Sequence, residues 1–406
     1  MQAIILAAGE GSRMRPLTAS RPKVMLPVAG RPLLEHILLR AKSAGVDRAL
    51  LVVGYCRDSV RTHFGDGSRL GIRIDYALQE QQLGTGHALL AAESLAEERF
   101  LVLNGDVLPD EASLQMMAKG GPAVSAIEVD DPRRYGVFTE EAGRFVSVVE
   151  KSERPPSRLA NAGIYCLGRS IFSALKEAPL SPRGEFELTD GLNRLAGQEC
   201  LSITKLKSWL EIGRPWDILA ANEALLKELE PQMLGTVESG ATLNGTVSVG
   251  KGARIMSGAY IEGPAIIGDN CKIGPNCYIR PSTCLGDAVR VGNAVEVKNS
   301  AVMNGSKIGH LSYLGDSVIA EGCNFGAGTV CSNLRHDGGN IKSFIKGKRE
   351  DSGRRKLGVI MGDGVMTGIN TSIYPGTVIE PEFRGLPGAV LRGLVARSHN
   401  DDRIKR

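Results

Sequence analysis

Residues 237–303 read VESGATLNGTVSVGKGARIMSGAYIEGPAIIGDNCKIGPNCYIRPSTCLGDAVRVGNAVEVKNSAVM, and this stretch decides the fold of the chain. An aliphatic residue returns at every sixth position, at Val237, Leu243, Val249, Ile255, Ile261, Ile267, Ile273, Ile279, Leu285, Val291, Val297 and Met303. Because 42% of the chain is apolar, twelve successive hits in one register have a chance probability of about 3 in 100,000, which identifies a repeat.

A period of six matches neither the 3.6-residue period of a helix nor the two-residue alternation of a strand. A glycine often follows the aliphatic residue, as in Ile267-Gly268, and allows a tight corner after each short strand. We therefore predict a left-handed parallel β-helix with three hexapeptides per triangular coil, in which each aliphatic residue stacks on its equivalent one coil later. This domain is predicted to cover residues 236–406 and to include a C-terminal tail.

Composition limits the remaining possibilities. The net charge is only +4, and no run of Lys or Arg is interleaved with aromatic residues, so small charged ligands are expected rather than nucleic acid. The eight cysteines form no CxxC pair, and five lie in the solenoid, which favours reduced structural thiols. Neither a basic leader nor an apolar run of membrane-spanning length is found, so we expect a cytoplasmic protein without a membrane partner.

Residues 1–230 alternate strand-like and helix-like segments, which predicts a Rossmann-like α/β domain with a mostly parallel sheet. The candidate strands are residues 3–8, 49–53, 72–78 and 100–104, and the candidate helices are residues 33–44, 87–95 and 217–230. Pro231 ends the last of these helices and marks the predicted domain boundary. Ligands of such sheets bind beyond the carboxyl ends of the strands, so the loops there are the candidate sites.

The loop after the first strand reads AAGEGSRMRPLT, residues 7–18, and is followed by Arg-Pro-Lys at 21–23. Glycine backbone amides, the fork of Arg13 and the point charge of Lys23 together suit a triphosphate and its pyrophosphate leaving group. The loop has neither the phosphate-loop pattern GxxxxGK[ST] nor a complete dinucleotide fingerprint. A plain tight turn is the alternative interpretation, and the cluster of glycines, arginine and lysine argues against it.

Two further loops follow predicted strands. Residues 79–88, QEQQLGTGHA, place amide side chains beside a glycine backbone, an arrangement that can read the edge of a nucleobase. Residues 103–106, LNGD, place the carboxylate of Asp106 at the tip of a buried strand, where a hard cation is bound. His87 is expected only to open the next helix, and a strand-end aspartate is often only a turn former.

The motifs LAAGxGxRMxPLT, PKxMLPVxxxP, QLGTGHA, NGD, YGV, VEK, NxGIY and GRPWD follow in order, and together they resemble the nucleoside-triphosphate sugar-1-phosphate nucleotidylyltransferases. The resemblance implies that the triphosphate and base are bound by Ala8, Gly9, Gly11, Arg13, Lys23, Gln79, Gly84 and Thr85. It implies that the sugar phosphate is bound by Gly136, Glu150 and Asn161. It also implies Mg²⁺ at Asp106, with Glu211 and Asp217 as alternatives for completing the metal site.

The repeat slips after Met303, and polar residues follow: KIGHLSYLGD at 307–316, NFGAGT at 324–329 and Ser-Asn at 332–333. Residues 333–357 interrupt the hexapeptides and are rich in Lys and Arg; loops that leave solenoids often form binding faces. The residue types suit acyl transfer, in which a neutral histidine accepts a proton from an amine while amides and hydroxyls stabilise the oxyanion.

This half resembles, over about residues 237–380, the acetyltransferase domain of the bifunctional N-acetylglucosamine-1-phosphate uridylyltransferases/glucosamine-1-phosphate acetyltransferases. The motifs HLSYLGD and GAGT with the following Asn333 carry the resemblance, and NLRHDG at 333–338 with GRRK at 353–356 is similar to the archaeal type. It implies a base, His310, and acetyl-CoA as co-substrate. It implies substrate and acetyl-CoA contacts from Arg280, Lys298, Tyr313, Asn324, Ala327 and Asn333.

The predicted function is therefore acetyl-CoA-dependent N-acetylation of glucosamine-1-phosphate together with Mg²⁺-dependent uridylyl transfer from UTP, in a homotrimer held by the β-helix. The alternative is a glucose-1-phosphate thymidylyltransferase whose β-helix only oligomerises or regulates. A zinc-dependent β-helix enzyme needs three histidine ligands, and the solenoid holds only His310 and His336. The residues leave open UTP against dTTP, and glucosamine against galactosamine or glucose phosphate.

Overall fold

The computed structural model describes residues 1–396; residues 397–406, at the end of the predicted C-terminal tail, lie outside the described residues. The chain divides into two compact units. The first unit comprises residues 1–10, 21–25 and 32–211, and the second comprises residues 11–20, 26–31 and the chain from 212 onward. No helix among the described residues has the length and apolar character needed to cross a membrane.

A nine-stranded sheet forms the centre of the first unit, in the order β5-β4-β1-β6-β11-β8-β12-β10-β9. The strands of the amino-terminal half are β1 Gln2–Ala7, β2 Pro27–Val28, β3 Arg31–Pro32, β4 Arg48–Val53, β5 Arg73–Leu78, β6 Arg99–Asn104, β7 Val107–Pro109, β8 Ala123–Glu128, β9 Gly136–Glu141, β10 Arg144–Glu150, β11 Leu159–Gly168, β12 Ser202–Lys205 and β13 Trp209–Glu211. Strands β5, β4, β1 and β6 are parallel neighbours, whereas β11, β10 and β9 join the sheet in antiparallel pairs.

The helices are α1 Leu33–Ser43, α2 Arg57–Phe64, α3 Thr85–Leu90, α4 Glu111–Lys119, α5 Ser170–Glu177, α6 Leu188–Ala196 and α7 Asp217–Leu225. Local chemistry sets several of their ends. The side chain of Asp110 accepts a hydrogen bond of 2.9 Å from the backbone N–H of Ser113 and so caps the start of α4. Gly65, at a φ of 55°, ends α2 in a conformation that a residue with a side chain rarely adopts.

The four predicted strands correspond to β1, β4, β5 and β6, and their parallel order confirms the α/β fold of this half. Their burial explains why the pattern was readable: Leu50, Leu51 and Val52 in the middle of β4 have no exposed surface. The predicted helix at 87–95 begins earlier, at Thr85, and gives way to a 3₁₀ turn at Glu93–Leu95. The helix predicted at 217–230 is α7 followed by another 3₁₀ turn at Leu226–Glu228.

Short strands repeat through the rest of the described chain. They are β14 Thr236–Val237, β15 Thr242–Asn244, β16 Val247–Val249, β17 Arg254–Ile255, β18 Tyr260–Glu262, β19 Ala265–Ile267, β20 Lys272–Ile273, β21 Tyr278–Ile279, β22 Thr283–Leu285, β23 Arg290–Asn293, β24 Glu296–Lys298, β25 Ala301–Val302, β26 Lys307–His310, β27 Tyr313–Gly315, β28 Val318–Ile319, β29 Asn324–Phe325, β30 Val330–Cys331, β31 Lys342–Ile345, β32 Lys348–Asp351, β33 Ile360–Met361, β34 Ser372–Ile373, β35 Val378–Ile379, β36 Val390–Leu391 and β37 Leu394–Val395.

These strands form three parallel sheets, and the architecture is the predicted left-handed β-helix. The first sheet runs β14-β17-β20-β23-β26-β29, the second runs β15-β18-β21-β24-β27-β30-β34-β36, and the third runs β16-β19-β22-β25-β28-β33-β35-β37. Strands β31 and β32 form an antiparallel hairpin within the predicted interruption at 333–357. The aliphatic residues of the repeat from Val249 to Val297 fill one continuous buried core, as the hexapeptide pattern predicted. At the start of the solenoid Leu243 is only partly buried and Val237 is 36% exposed.

The register shows where the repeat slips. Val237 pairs with Ile255 and Ile255 with Ile273, so the first coils contain 18 residues. Leu285 then pairs with Val302 rather than with the predicted Met303. The reason is that the corner after Lys298 is one residue shorter than the matching corner of the preceding coil, which follows Arg280. The last position of the predicted register is therefore wrong, and Asn299, at a φ of 44°, forms the shortened corner.

Candidate functional site

The carboxyl end of β1 leads into the predicted phosphate loop. The carbonyl oxygen of Ala8 accepts hydrogen bonds from the backbone N–H of Tyr55 at 3.1 Å and from the side chain of Gln82 at 3.4 Å. A Cβ atom added to Gly9 would meet no protein atom within 4 Å, so packing within the protein does not require a glycine here. Open space beside a bare backbone is what the approach of a phosphate needs.

Gly11 and Arg13 belong to the second unit. Gly11 has a φ of 70°, and its carbonyl oxygen accepts a hydrogen bond of 3.0 Å from the hydroxyl of Thr18, so this glycine does serve a tight turn. Arg13 lies in the 3₁₀ turn Ser12–Met14 that follows. Their roles toward a triphosphate rest on the sequence motif and stay predictions.

The structure brings together two predicted catalytic residues of the first unit. The side-chain nitrogen of Lys23 lies 2.5 Å from a carboxylate oxygen of Asp106. Lys23 is 15% exposed and Asp106 is 23% exposed, so solvent screens this ion pair only in part. Asp106 lies two residues after the end of β6, at the strand end where an α/β sheet carries its ligands. The pair offers a cation for phosphate and a carboxylate for a metal ion.

The two alternatives for the second metal ligand differ in position. Glu211 ends β13 and lies opposite Val107 of β7, next in sequence to Asp106. Asp217 instead accepts backbone hydrogen bonds from Gly213 at 2.9 Å and Arg214 at 2.7 Å through one carboxylate oxygen. Among the described residues, no group of three or more His, Cys, Asp or Glu side chains forms a ready cage for a metal.

The predicted base-reading loop is braced by its own protein contacts. The amide nitrogen of Gln79 donates to the carbonyl oxygen of Gly84 at 3.1 Å and lies 3.0 Å from Nδ1 of His87. The hydroxyl of Thr85 accepts a hydrogen bond of 3.1 Å from the backbone N–H of Leu188. These bonds fix the loop shape, and the contacts of Gln79, Gly84 and Thr85 to a base stay predictions.

The predicted sugar-phosphate residues lie on neighbouring strands. Gly136 is paired with Glu150 across β9 and β10, and a Cβ atom at Gly136 would lie only 2.8 Å from a carboxylate oxygen of Glu150. A bulge in β11 presents Asn161, whose amide exchanges hydrogen bonds of 2.8 and 3.0 Å with the hydroxyl of Tyr165. Burial raises the pKa of Tyr165, so this hydroxyl stays protonated and able to donate.

Sequence reasoning missed the residues that support these three positions. Arg183 lies 2.7 Å from a carboxylate oxygen of Glu187 and 3.9 Å from one of Glu150. Tyr165 occupies a buried position of a strand, and the hydrophobic pattern of the sequence does not show that its hydroxyl contacts Asn161. Arg183 and Glu187 lie in a loop before α6, and only their contacts reveal that they adjoin Glu150.

In the second unit, the predicted base and the predicted acetyl-CoA residue lie in consecutive coils. His310 ends β26 and pairs with Asn293 of the preceding coil. The carbonyl oxygen of His310 accepts a hydrogen bond of 3.3 Å from the backbone N–H of Gly328. Ala327, which precedes Gly328, therefore lies at the same corner as His310 but in the next coil. The side chain of His310 is exposed, which suits a residue that must meet a substrate. Asn324 lies opposite Lys307 in the first sheet, three residues before Ala327.

A hydrogen-bonded group occupies the second sheet and its far corner. One carboxylate oxygen of Asp316 accepts from the amide of Asn333 at 2.5 Å, and the same amide donates to the hydroxyl of Tyr313 at 3.1 Å. Lys298 lies 3.8 Å from that carboxylate oxygen. Burial raises the pKa of Tyr313, and the Asp316 carboxylate raises it further. The fold therefore brings together Lys298, Tyr313 and Asn333, which are distant in sequence.

Arg280 lies in the coil before Lys298. Its guanidinium forms an ion pair of 2.9 Å with Glu296 and lies over the ring of Tyr278 at 5.6 Å. The hydrogen bond from Arg280 to Glu296 raises the pKa of the guanidinium, which stays charged. The Nε atom of Arg280 is buried and has no hydrogen-bond partner among the described residues, so it has a donor to offer.

A cavity of about 680 Å³ opens beside this group. The residues that line it are Lys298, Asn299, Asp316, Leu334, Arg354, Arg355 and Lys356. Burial lowers the pKa of Lys298, and the ammonium group of Lys356 lowers it further, while the Asp316 carboxylate opposes both. The sequence indicated a basic loop here, but it did not identify Asn299, Arg355 or Lys356 as parts of one cavity.

Comparison with known proteins gives the family. The nucleotidyl transferase family model matches residues 2–228, and the model of the GMPPB C-terminal domain matches residues 261–384. The chain is 42% identical over 381 residues to the bifunctional protein GlmU of Methanocaldococcus jannaschii, covering 93% of this chain and 92% of that protein. It is 40% identical over 397 residues to a bifunctional sugar-1-phosphate nucleotidylyltransferase/acetyltransferase of Sulfurisphaera tokodaii, covering 96% and 97% of the two chains.

A solved structure agrees with these matches. The crystal structure of a UDP-glucose pyrophosphorylase complexed with UDP-glucose is 28% identical and superposes with a TM-score of 0.52, covering 56% of this chain and 99% of that one. Nearly the whole of that solved chain therefore aligns with little more than half of this one. The chain is a transferase, and it belongs to the family of bifunctional sugar-1-phosphate nucleotidylyltransferase/acetyltransferases.

Proposed function

We propose that this chain makes UDP-N-acetylglucosamine in two reactions. It acetylates the amine of glucosamine-1-phosphate with acetyl-CoA, and it transfers uridylyl from UTP to the resulting N-acetylglucosamine-1-phosphate. The names of the relatives support this assignment over most of the chain length. The observation that carries it is the grouping of Lys298, Tyr313 and Asn333 around Asp316 on a solenoid that also exposes His310, because a scaffold requires no such group.

The nucleotidyl reaction joins a sugar phosphate oxygen to the α-phosphorus of the triphosphate, and the bond to pyrophosphate breaks. Lys23 and Arg13 place positive charge against the phosphate oxygens as the leaving group gains charge. The backbone of Ala8, Gly9 and Gly11 approaches the phosphates closely. The base is bound by Gln79, Gly84 and Thr85. Gly136, Glu150 and Asn161 hold the sugar. The catalytic contribution is therefore positioning together with charge neutralisation.

This family typically uses a divalent metal, and we propose Mg²⁺ held by Asp106 and Glu211. Mg²⁺ is commonly bound by one or two carboxylates together with substrate phosphates, so the donor set present here fits the ion. Asp217 is the weaker alternative, since it already accepts two backbone hydrogen bonds at the start of α7. When bound, the metal would withdraw charge from the phosphate oxygens.

In the acetyl reaction the substrate amine attacks the thioester carbon of acetyl-CoA. The new C–N bond forms as the C–S bond breaks, coenzyme A leaves as its thiolate, and His310 accepts the proton that the amine loses. Arg280 and Lys298 hold the sugar phosphate, while Tyr313, Asn324 and Asn333 align the sugar and Ala327 lies near the thioester. The proposed reaction forms no acyl-enzyme. Burial raises the thiol pKa values of the five solenoid cysteines, so these thiols are poor nucleophiles.

One panel of assays tests both reactions. Purified protein is given UTP or dTTP with glucose-, galactosamine-, glucosamine- and N-acetylglucosamine-1-phosphate, and pyrophosphate release is measured; a parallel set contains acetyl-CoA and the amino sugar phosphates. The proposal expects uridylyl transfer to the acetylated sugar and acetyl transfer to glucosamine-1-phosphate. Thymidylyl transfer to glucose-1-phosphate with no acetyl transfer would instead establish the alternative function, in which the solenoid only oligomerises or regulates.

A further inference from the structure

The shortened corner at Asn299 lies in the wall of the cationic cavity. It belongs to the second unit, as do Glu223, Asp316 and Arg354. In the coil that contains it, the chain turns after Lys298 with one residue fewer than in the preceding coil. Asn299 adopts a φ of 44°, a conformation that asparagine tolerates better than most residues. The corner after Gly315 in the next coil is equally short, and Asp316 there has a φ of 50°, so two successive coils share this shortened corner.

Two carboxylates fix the orientation of the Asn299 side chain. Its amide nitrogen donates to a carboxylate oxygen of Glu223 at 2.8 Å and to one of Asp316 at 2.9 Å. Only the NH₂ end of an amide can donate, and the opposite orientation would place the carbonyl oxygen against both carboxylates. The carbonyl oxygen therefore has one possible orientation. It is buried and has no hydrogen-bond partner among the described residues.

The character of the cavity limits what this oxygen can bind. Among the described residues, cationic side chains predominate in its wall: Lys298, Arg354, Arg355 and Lys356. Those cations suit the phosphate of an acceptor, whereas a carbonyl oxygen repels phosphate and accepts only from a donor. An amino sugar phosphate carries both an anionic phosphate and hydroxyl donors on one small ring.

We propose that Asn299 recognises a ring hydroxyl of the amino sugar phosphate and so takes part in selecting the acceptor. This inference rests on the proposed acetyl-transfer function. The amine itself must approach His310, which lies before β27 at one edge of the second sheet, whereas Asn299 and Asp316 follow Lys298 and Gly315 at the other edge. Asn299 therefore contacts a hydroxyl rather than the reacting amine.

Glu223, on α7, is the positioning residue of this arrangement. The same carboxylate oxygen that accepts from Asn299 also lies 2.5 Å from the guanidinium of Arg354, which lines the cavity. Glu223 thus orients both the side-chain amide of Asn299 and the guanidinium of Arg354 in one binding site. Its side chain is 37% exposed, so a change at this position is expected to alter the site without unfolding the protein.

The test uses the full-length Asn299→Gly variant, which removes the amide and keeps a backbone that tolerates positive φ. Acetyl-transfer kinetics are measured with glucosamine-1-phosphate and with analogues that each lack one ring hydroxyl or invert it, as galactosamine-1-phosphate does. We expect the KM for the parent acceptor to rise about threefold to tenfold with little change in kcat, as for the loss of one hydrogen bond. We expect no rise for the one analogue that lacks the recognised hydroxyl.

The matched control is Asn270→Gly, since Asn270 is an exposed corner asparagine with a φ of 57° and does not line the cavity. It should retain the wild-type KM for every acceptor. An Asn299→Gly enzyme with unchanged KM for all acceptors, or with an equal rise for all of them, would overturn the proposal. Absence of acetyl transfer from the wild-type protein would instead refute the proposed function, so the two failures are distinguishable.

Glu223→Gln provides a second, independent measurement. We expect it to raise the KM for the parent acceptor while leaving kcat near the wild-type value, because a neutral amide no longer holds both Asn299 and Arg354. In the double variant with Asn299→Gly, the two effects on KM should not multiply, since Glu223 acts in part through Asn299. Fully multiplicative effects would show that Glu223 does not orient this amide and would overturn its positioning role.

Discussion

Lys23 and Asp106 form an ion pair of 2.5 Å although 83 positions separate them in the chain. In the proposed nucleotidyl transfer each has a separate task, Lys23 toward phosphate and Asp106 toward the metal ion. Without substrate they neutralise each other, so the partly buried carboxylate is not left with an uncompensated charge. In the proposed reaction, a metal-bound triphosphate would give both residues new partners of opposite charge. The pair therefore keeps the site assembled before substrate binds.

Asp106→Asn should lower Mg²⁺-dependent pyrophosphate release by at least about 100-fold, because it removes a carboxylate from the metal and leaves Lys23 without its partner. The measurement is pyrophosphate release at saturating UTP and sugar phosphate across a Mg²⁺ titration. Acetyl transfer by the same preparation is the control and should be unchanged. Full Mg²⁺-dependent activity in this variant would refute the assignment of the metal site.

His310→Ala should reduce acetyl transfer by roughly 10² to 10⁴, the usual contribution of a general base, and should leave nucleotidyl transfer nearly unchanged. Lys298→Ala should instead raise the KM for the amino sugar phosphate, because its task is charge rather than proton transfer. Both activities are measured in both variants. If His310→Ala kept wild-type acetylation, or lost both activities equally while folded, the assignment of His310 would be wrong.

Acetyl transfer should show an early alkaline limit that arises from Lys298. Burial and the nearby Lys356 lower the pKa of this ammonium group below the ordinary value of 10.5, with Asp316 opposing them. The protonated form binds phosphate, so as pH rises through the lowered pKa the charge is lost and the KM should increase. On the acid side, phosphate binds better as it becomes dianionic near pH 6.

Lys298→Arg provides the check on this pH dependence. Arginine stays charged throughout the working range, so the alkaline rise in KM should move to higher pH in the variant. The measurement is KM for glucosamine-1-phosphate from pH 6 to pH 10 in both proteins. An identical alkaline limb in wild type and variant would assign that limb to another group.

The fold was largely predictable because its signals are local and periodic. The six-residue spacing of the aliphatic positions predicted the solenoid, since each such side chain must enter one core. The one-residue slip before Met303 was not predictable, because Val302 and Met303 are both apolar and both buried. The antiparallel strands β9 to β11 were also not predicted, because a hydrophobic pattern does not indicate which strand each one pairs with or in which direction.

The candidate sites were predictable only where a motif names the residue. Lys23, Asp106 and His310 lie in recognisable motifs; strand ends explain the positions of Asp106 and His310, whereas Lys23 begins a 3₁₀ turn. Asn299 and Glu223 carry no such signal: one reads as a loop residue and the other as a polar residue on a helix. Their connection depends on a hydrogen bond between residues 76 positions apart, which only the folded chain reveals. The boundary predicted at Pro231 stays a prediction.

Thiol reactivity should separate the buried solenoid cysteines from the more accessible Cys200 and Cys56. Burial raises the pKa values of Cys271, Cys277, Cys284 and Cys323 to about 12, so they are not nucleophilic at pH 8. A thiol reagent should modify Cys200, which is exposed, and more slowly the half-buried Cys56. All eight should react after denaturation. Rapid labelling of a solenoid cysteine in the native enzyme would show that the β-helix opens.

The remaining prediction is the homotrimer. The solenoid exposes apolar side chains in the second sheet and at its preceding corner, where Val330, Ile369 and Val390 are 46%, 53% and 63% exposed. Burying such a face against neighbouring copies is favourable, and threefold packing suits a triangular coil. Sedimentation of the full chain at micromolar concentration should therefore give a mass near three times 43.3 kDa.

Charged variants identify the face that forms this trimer. Val330→Asp combined with Val390→Asp should dissociate the trimer, because each buries an unpaired carboxylate in the interface. Val146→Asp is the matched control: Val146 is 45% exposed on β10 of the first unit, and its change should leave the mass unaltered. A monomeric wild-type chain would contradict the trimer itself. A trimer that persisted in the double variant would instead place the interface on another face of the solenoid.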